Sequence, residues 1–368
     1  MSKITVAIDC QALLGNIQTG LGVYALNLVE VLENFRESLK VVRLSPPGNK
    51  PLRTTPQRLL WEQTRLPWLI ARSDCDVFHS PALSLPVIGS RKKVATAHDL
   101  IILKHPEMMT GLARKYFAEF IPRTLQKADH IIANSEATKK DLMRYLHIPA
   151  GKITVIHLGV GKEFLKESDR DLVNTLRRAN HITGDYLLSV ASFEPRKNHT
   201  GIIRGFAKAL PDLPAETKLA LVGRENKYQR EMRALVEELQ LTDRVAFCGY
   251  LGTKELAAMY QAAVMLVFPS LEEGFGLPII EAFAKGVPVL TSRLEATEEV
   301  GGDAVKYVNP QRADEIGQAI AELYNDKELR QSLIEKGKQR VQLFSWENNA
   351  KETIKVYYRV LGRTKDLK

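Results

Sequence analysis

Short apolar runs recur along this chain, each followed by a longer stretch with helical spacing, and the alternation is played through twice. Runs at 4–9, 40–44, 76–79, 94–98, 130–134 and 153–157 read as buried strands, with helical patterns at 22–33, 58–70, 112–127 and 136–145 between them. A second series places strands at 186–191, 218–222, 245–248, 264–269, 287–291 and 305–308. Its helices fall at 200–209, 229–239, 254–262, 278–284, 313–324 and 327–344. Strands alternating with helices build βαβ units, hence parallel sheets covered by helices on both faces. A single core rarely grows past about 250–300 residues. The 368 residues are therefore expected to form two doubly wound, Rossmann-like α/β domains, 1–170 and 171–345, joined through the polar stretch 161–185. A last helix in 346–368 sets Trp346, Ala350, Ile354, Tyr357 and Tyr358 near one face, which is expected to pack back on the first domain. Ligands of open α/β sheets bind beyond the carboxyl ends of the strands, so the cleft between two facing domains is the expected site.

Composition removes several classes. A chain 45% hydrophobic and 26% charged is that of a globular protein. No apolar run approaches the roughly 18–20 residues that span a bilayer. Cys10, Cys75 and Cys248 are isolated, without metal-ligand or disulfide spacing, which fits a reducing cytoplasm. The basic excess is uneven: residues 1–160 hold 21 of the 52 basic residues against 13 of the 43 acidic ones. That field favours an anionic partner such as phospholipid headgroups or a phosphate-linked substrate. Aromatic residues do not interleave with the basic ones as a nucleic-acid platform requires, so no nucleic-acid partner is expected.

Four stretches carry chemistry. Residues 270–281, SLEEGFGLPIIE, leave an apolar strand and open a helix. Pro278 suits a first helical position, and Gly274 and Gly276 allow a ligand close to the backbone. Amides around Phe275, Gly276 and Leu277 then sit at a helix N-terminus that suits a diphosphate. Glu281 is expected in the first turn and Glu273 in the loop above, as acceptors for ribose and sugar hydroxyls. Residues 192–198, SFEPRKN, place Arg196 and Lys197 at a strand end, where cations neutralise a leaving diphosphate. Thr19-Gly20-Leu21-Gly22 lies at a helix start, and Thr96-Ala97-His98-Asp99 ends a strand. Neither a nicotinamide fingerprint nor a phosphate-binding P-loop is present.

Taken together, the EGFGLP run with Glu273 and Glu281, EPRKN at 194–198, AHDL at 97–100 and TGLGVYA at 19–25 resemble the retaining nucleotide-sugar glycosyltransferases of GT-B fold, family four. The resemblance runs over nearly the whole chain, to Phe344-Ser345-Trp346 opening the final helix. It implies two Rossmann-like domains facing a cleft, with the C-terminal helix crossing back to the first. It implies that Glu281 holds the ribose and that Glu273 meets the donor sugar beside the amides of Gly274 to Leu277. Lys197, with Arg196, would bind the diphosphate, and Tyr250 and Leu251 would border the base. His98 would lie near the anomeric carbon, and Gly20 and Gly22 would let a loop close over the phosphates. The Gly-Arg pair that many members carry near 190–191 is missing, where this chain has Val190 and Ala191.

The reaction so implied is retaining, metal-independent hexosyl transfer from a nucleotide diphosphate sugar to a glycan or lipid-linked acceptor in surface polysaccharide synthesis. No cofactor is expected; GDP or UDP leaves as product. Leu60-Trp61-Glu62-Gln63 and Phe78-His79-Ser80-Pro81 are similar to mannosyltransferases of O-antigen type and tilt the donor toward GDP-mannose over a UDP-hexose. A cytoplasmic enzyme touching anionic membrane through its basic first half is expected. The alternatives are a sugar-nucleotide epimerase, or a basic protein that binds an anionic partner without turnover.

Overall fold

The computed structural model describes residues 3–14, 20–52, 54–105 and 110–364. It divides into two compact units, Met1–Gly159 with Ser345–Lys368, and Val160–Phe344. The first holds strands β1 (Ile4–Asp9), β2 (Leu39–Leu44), β3 (Val77–Ser80), β4 (Lys92–Ala97), β5 (His130–Ala133) and β6 (Ile153–Val155). All pair in parallel, in the order β2-β1-β3-β4-β5-β6. The second holds β7 (Tyr186–Val190), β8 (Lys218–Val222), β9 (Val245–Gly249), β10 (Met265–Phe268), β11 (Val289–Ser292) and β12 (Val305–Val308), in the order β12-β11-β10-β7-β8-β9. Central strands such as β3, β5, β10 and β11 are buried throughout, as parallel strands covered on both faces must be.

Strand order matters for function because it reverses direction once in each sheet. The switch falls between β1 and β3 in the first and between β7 and β10 in the second, where diverging connections open a crevice.

The last helix, Trp346–Val360, groups with the first unit. Trp346, Ala350, Ile354, Tyr357 and Tyr358 are all buried, and Asn349 Nδ2 donates to the His157 carbonyl at 2.7 Å. A Cβ at Gly159 would lie 2.2 Å from the Trp346 amide nitrogen, so only glycine lets the helix start seat there.

Two local expectations are corrected, and one stretch shows an element not expected. The helix expected over 58–70 is Thr55–Leu60, a π-helical turn at Trp61–Arg65, and Leu66–Arg72. The one expected over 112–127 is likewise broken by a π turn at Tyr116–Phe120. Each wide turn ends two residues before a proline, Pro67 or Pro122, whose ring would otherwise strike the carbonyl four residues back. The stretch 161–185, expected only as a polar join, has no strand and carries the helix Arg170–Ala179, capped by Asp169. Its signal was the spacing of Leu172, Val173, Leu176 and Ala179 among charged residues.

Candidate donor site

In the second unit the loops leaving β7 and β10 lie side by side at the switch point. Asn198 ties them: it adopts a left-handed conformation (φ 59°), and its Nδ2 donates to the carbonyls of Pro269 at 3.0 Å and Pro310 at 2.7 Å. The Leu271 amide donates to the Arg196 carbonyl at 2.7 Å. Gly276 takes φ 112°, which favours glycine, and starts the helix Leu277–Ala284 with Pro278 in its first turn. Phe275 is buried with its ring edge-on to Phe344 at 5.9 Å, which holds the loop between Gly274 and Leu277.

Two of the expected site residues, 76 positions apart, meet directly. Lys197 Nζ donates to Glu273 Oε1 at 2.5 Å, with 12% and 7% of the two side chains exposed. The ammonium also sits 5.5 Å from the centre of the Phe268 ring. Arg196 Nε pairs with Glu194 at 2.8 Å. His199, the next histidine in the chain, is buried with no partner among the described residues for either ring nitrogen. Burial, with Lys197 nearby, drops its imidazole to about 3, so it stays neutral and the local positive charge comes from Arg196 and Lys197.

Glu281 is the fifth residue of its helix and lies in the second turn rather than the first. There its Oε2 accepts from the Tyr260 hydroxyl at 3.0 Å, and the Tyr260 ring packs edge-on against Phe164 at 5.8 Å. Loss of solvent around the carboxyl pushes it up to about 7, the Tyr260 hydrogen bond pulling the other way. Sequence reading missed Tyr260, although its position beside the apolar helical run AAM at 257–259 marks a polar group that needs a partner. Tyr250, half-exposed, and Leu251 follow β9.

The remaining expected residues lie in the first unit. Gly20 and Gly22 form the first turn of the helix Gly20–Leu32, and a Cβ at Gly20 would meet nothing within 4 Å; Thr19 lies outside the described residues. His98 follows β4, and its Nε2 bonds the Pro81 carbonyl at 3.0 Å. A carbonyl only accepts, so Nε2 carries the proton and Nδ1 presents a lone pair. Burial lowers the His98 pKa below its ordinary value, which keeps the ring neutral.

A switch-point loop with a cation, two carboxylates and helix-end amides suits a nucleoside diphosphate linked to a polyol. Residues 174–340 match the family described as "Glycosyl transferases group 1", and residues 19–164 match "Glycosyltransferase Family 4". The O-antigen chain mannosyltransferase B of Escherichia coli is 30% identical over 312 residues, covering 84% of this chain and 80% of that protein. Sucrose-phosphate synthase from Thermosynechococcus elongatus superposes with a TM-score of 0.76 over 98% of this chain and all of the other, at 22% identity. Anabaena HepE, solved in complex with UDP and glucose, gives 0.75 over 97% of this chain and all of its own, at 17% identity. The two parallel sheets are thus those of the GT-B fold, and the chain belongs to the group 1, family 4 glycosyltransferases.

Proposed function

We propose that the protein transfers a hexose, mannose from GDP-mannose, to a hydroxyl of a glycan or lipid-linked acceptor in surface polysaccharide synthesis, with retention at the anomeric carbon. The Lys197–Glu273 pair beside the Gly274–Leu277 amides, at the switch point of the second sheet, carries this reading. Lys197 and Arg196, with the helix-end amides, take the negative charge that develops on the departing diphosphate. These cations supply the charge a metal would otherwise bring. Glu273 accepts from hydroxyls of the transferred sugar, Glu281 from the ribose, and Tyr250 and Leu251 border the base. Gly20 and Gly22 give the first unit room for the phosphates. The acceptor oxygen bonds to the anomeric carbon as the bond to the diphosphate oxygen breaks. Its proton passes to that leaving oxygen on the same face, so no enzymic nucleophile is required, unlike the paired carboxylates of retaining glycosidases. His98 serves the same sugar as a neutral group, accepting a hydroxyl hydrogen bond at Nδ1.

The 30% identity to a protein named a mannosyltransferase supports mannose, as do LWEQ at 60–63 and FHSP at 78–81. Thermal shift with GDP and UDP tests the nucleotide. Stabilisation reaches about 2.7 kcal/mol at a hundredfold excess over Kd, and GDP is expected to give the larger rise. A larger rise with UDP replaces GDP-mannose by a UDP-hexose. Product NMR showing an inverted anomeric centre removes the retaining mechanism, and a changed sugar nucleotide formed without acceptor makes the protein an epimerase.

A lipid-linked acceptor calls for contact with membrane, and no helix among the described residues is long and apolar enough to cross one. Trp68, 47% exposed, has the guanidiniums of Arg65 and Arg72 at 5.0 and 4.7 Å from its ring centre, and Leu60 nearby in sequence is 65% exposed. An amphipathic ring flanked by cations suits the headgroup region of an anionic bilayer, each cation adding about 1 kcal/mol near such a surface. The protein should float with phosphatidylglycerol vesicles at low salt, and a Trp68→Ala, Arg65→Ala, Arg72→Ala variant should stay in the soluble fraction. Equal flotation of the two removes this surface.

A further inference from the structure

The LWEQ and FHSP motifs take no part in the donor loops, yet within the first unit both lead to His98. FHSP does so directly, because its last residue, Pro81, supplies the carbonyl that fixes His98 Nε2. That carbonyl opens the segment 81–88, which has no regular secondary structure and is nevertheless largely buried. Buried irregular backbone cannot satisfy itself, so its polar groups must be met by side chains. Gln63 does so twice: its Nε2 donates to the Leu85 carbonyl at 3.2 Å, and its Oε1 accepts from the Val87 amide at 2.9 Å. Lys93 Nζ donates to the carbonyls of Pro86 at 2.9 Å and Ile88 at 3.1 Å, and Thr124 Oγ1 accepts from the Leu85 amide at 3.4 Å.

Glu62 grips the same segment by a side chain. Its Oε1 accepts from Ser84 Oγ at 2.6 Å, and its Oε2 takes the Tyr116 hydroxyl. Glu62 and Tyr116 stand in the two π turns, and such turns re-aim side chains relative to the flanking helix. Trp61 anchors the first π turn to the end of β1 through Nε1 and Asp9 Oδ1, 3.3 Å apart. LWEQ therefore spans the switch point of the first sheet, with Trp61 on the β1 side and Glu62 and Gln63 on the β3 side. A second arm reaches the His98 ring from behind. Tyr357 in the last helix bonds His79 Nδ1 at 2.6 Å, and His79 Nε2 and the Tyr24 hydroxyl both meet Thr96 Oγ1 at 2.8 Å. The Tyr24 ring then packs edge-on against His98 at 4.6 Å.

We propose that Glu62 and Gln63 are positioning residues for His98: by clasping residues 81–88 they hold the Pro81 carbonyl on Nε2 and so present Nδ1 as the acceptor toward the sugar. This rests on the reading of His98 as a sugar-side group. Loosening the clasp frees Pro81, and the imidazole then exchanges between its two tautomers and rotates.

The test uses the full chain labelled with 15N-histidine at pH 7, the His98 signals being identified by their loss in His98→Asn. The parent is expected to show one neutral tautomer, protonated at Nε2. In Glu62→Gln and in Gln63→Leu those signals move toward a tautomer average, and kcat falls by about 10²-fold, the scale of a 1 Å misplacement, while the donor KM stays within about twofold. Gln63 is only partly buried, so its variant carries the test if Glu62→Gln does not fold. Unchanged His98 signals in the variants, alongside a slow His98→Asn enzyme, overturn the clasp alone and leave LWEQ a structural fastening. A His98→Asn enzyme at full rate overturns the underlying reading of His98 instead.

Discussion

Lys197→Ala is expected to slow nucleoside diphosphate release by about 10²–10³-fold, the scale seen when one preorganised group facing developing negative charge is removed. The same substitution leaves Glu273 buried beside the vacated ammonium, and breaking a buried pair from one side costs about 3–5 kcal/mol. Lost activity and lost stability would then arrive together. The pair Lys197→Met with Glu273→Gln separates them, because it removes both charges while keeping side-chain length. Its melting point should recover toward the parental value while turnover stays low. Parental turnover in that double variant would make the pair a fold-stabilising contact and remove Lys197 from the chemistry.

Glu281 gives the second large effect, on nucleotide affinity and its dependence on pH. Two ribose hydroxyls donating to a carboxylate contribute about 1.5–3 kcal/mol each, so Glu281→Ala should weaken GDP binding by about 10²-fold or more. The sign of the pH effect follows from the raised value. Burial pushes ligand-free Glu281 up to about 7, and under the proposed ribose contact only the carboxylate accepts from both hydroxyls. Affinity should therefore be fullest above about pH 7 and fall as pH drops through it, each molecule bound releasing up to one proton near neutrality. The diphosphate titrates in a similar range, so the informative quantity is the difference between parent and Glu281→Gln, in which the ligand's own protons cancel. Tyr260→Phe removes the hydrogen bond that favours the carboxylate and should shift the fall to higher pH. Parallel titration calorimetry curves for parent and Glu281→Gln would exclude Glu281 from the ribose contact.

Much of the framework was legible from the chain. The strand periods located both sheets, because a buried parallel strand must be apolar on both faces. Gly276 followed by Leu277 and Pro278 announced a helix start, since backbone sterics leave few other choices there. The face of the last helix was readable from Trp346, Ala350, Ile354, Tyr357 and Tyr358. What escaped had local causes too. The helix Arg170–Ala179 carries so many charges that its apolar stripe read as linker, and the turn of Glu281 was misjudged because the helix begins one residue earlier than its proline suggests.

Other features had no local signature. Lys197 and Glu273 are partners only because β10 returns to lie beside β7, a strand order that neither loop encodes. Tyr260 and Glu281, and likewise Glu62 with Ser84 and Tyr116, meet through packing between separate elements 21 to 54 positions apart. The amino-acid order by itself determined which segments are strands, where the helix after Gly276 begins and which charged residues stand at strand ends, since these follow from backbone period and residue sterics over a few positions. Only the tertiary structure decided which of those charges neutralise one another, which carboxyl is pushed toward neutrality and which nitrogen of His98 bears the proton, because each depends on which groups the fold brings into contact or removes from water.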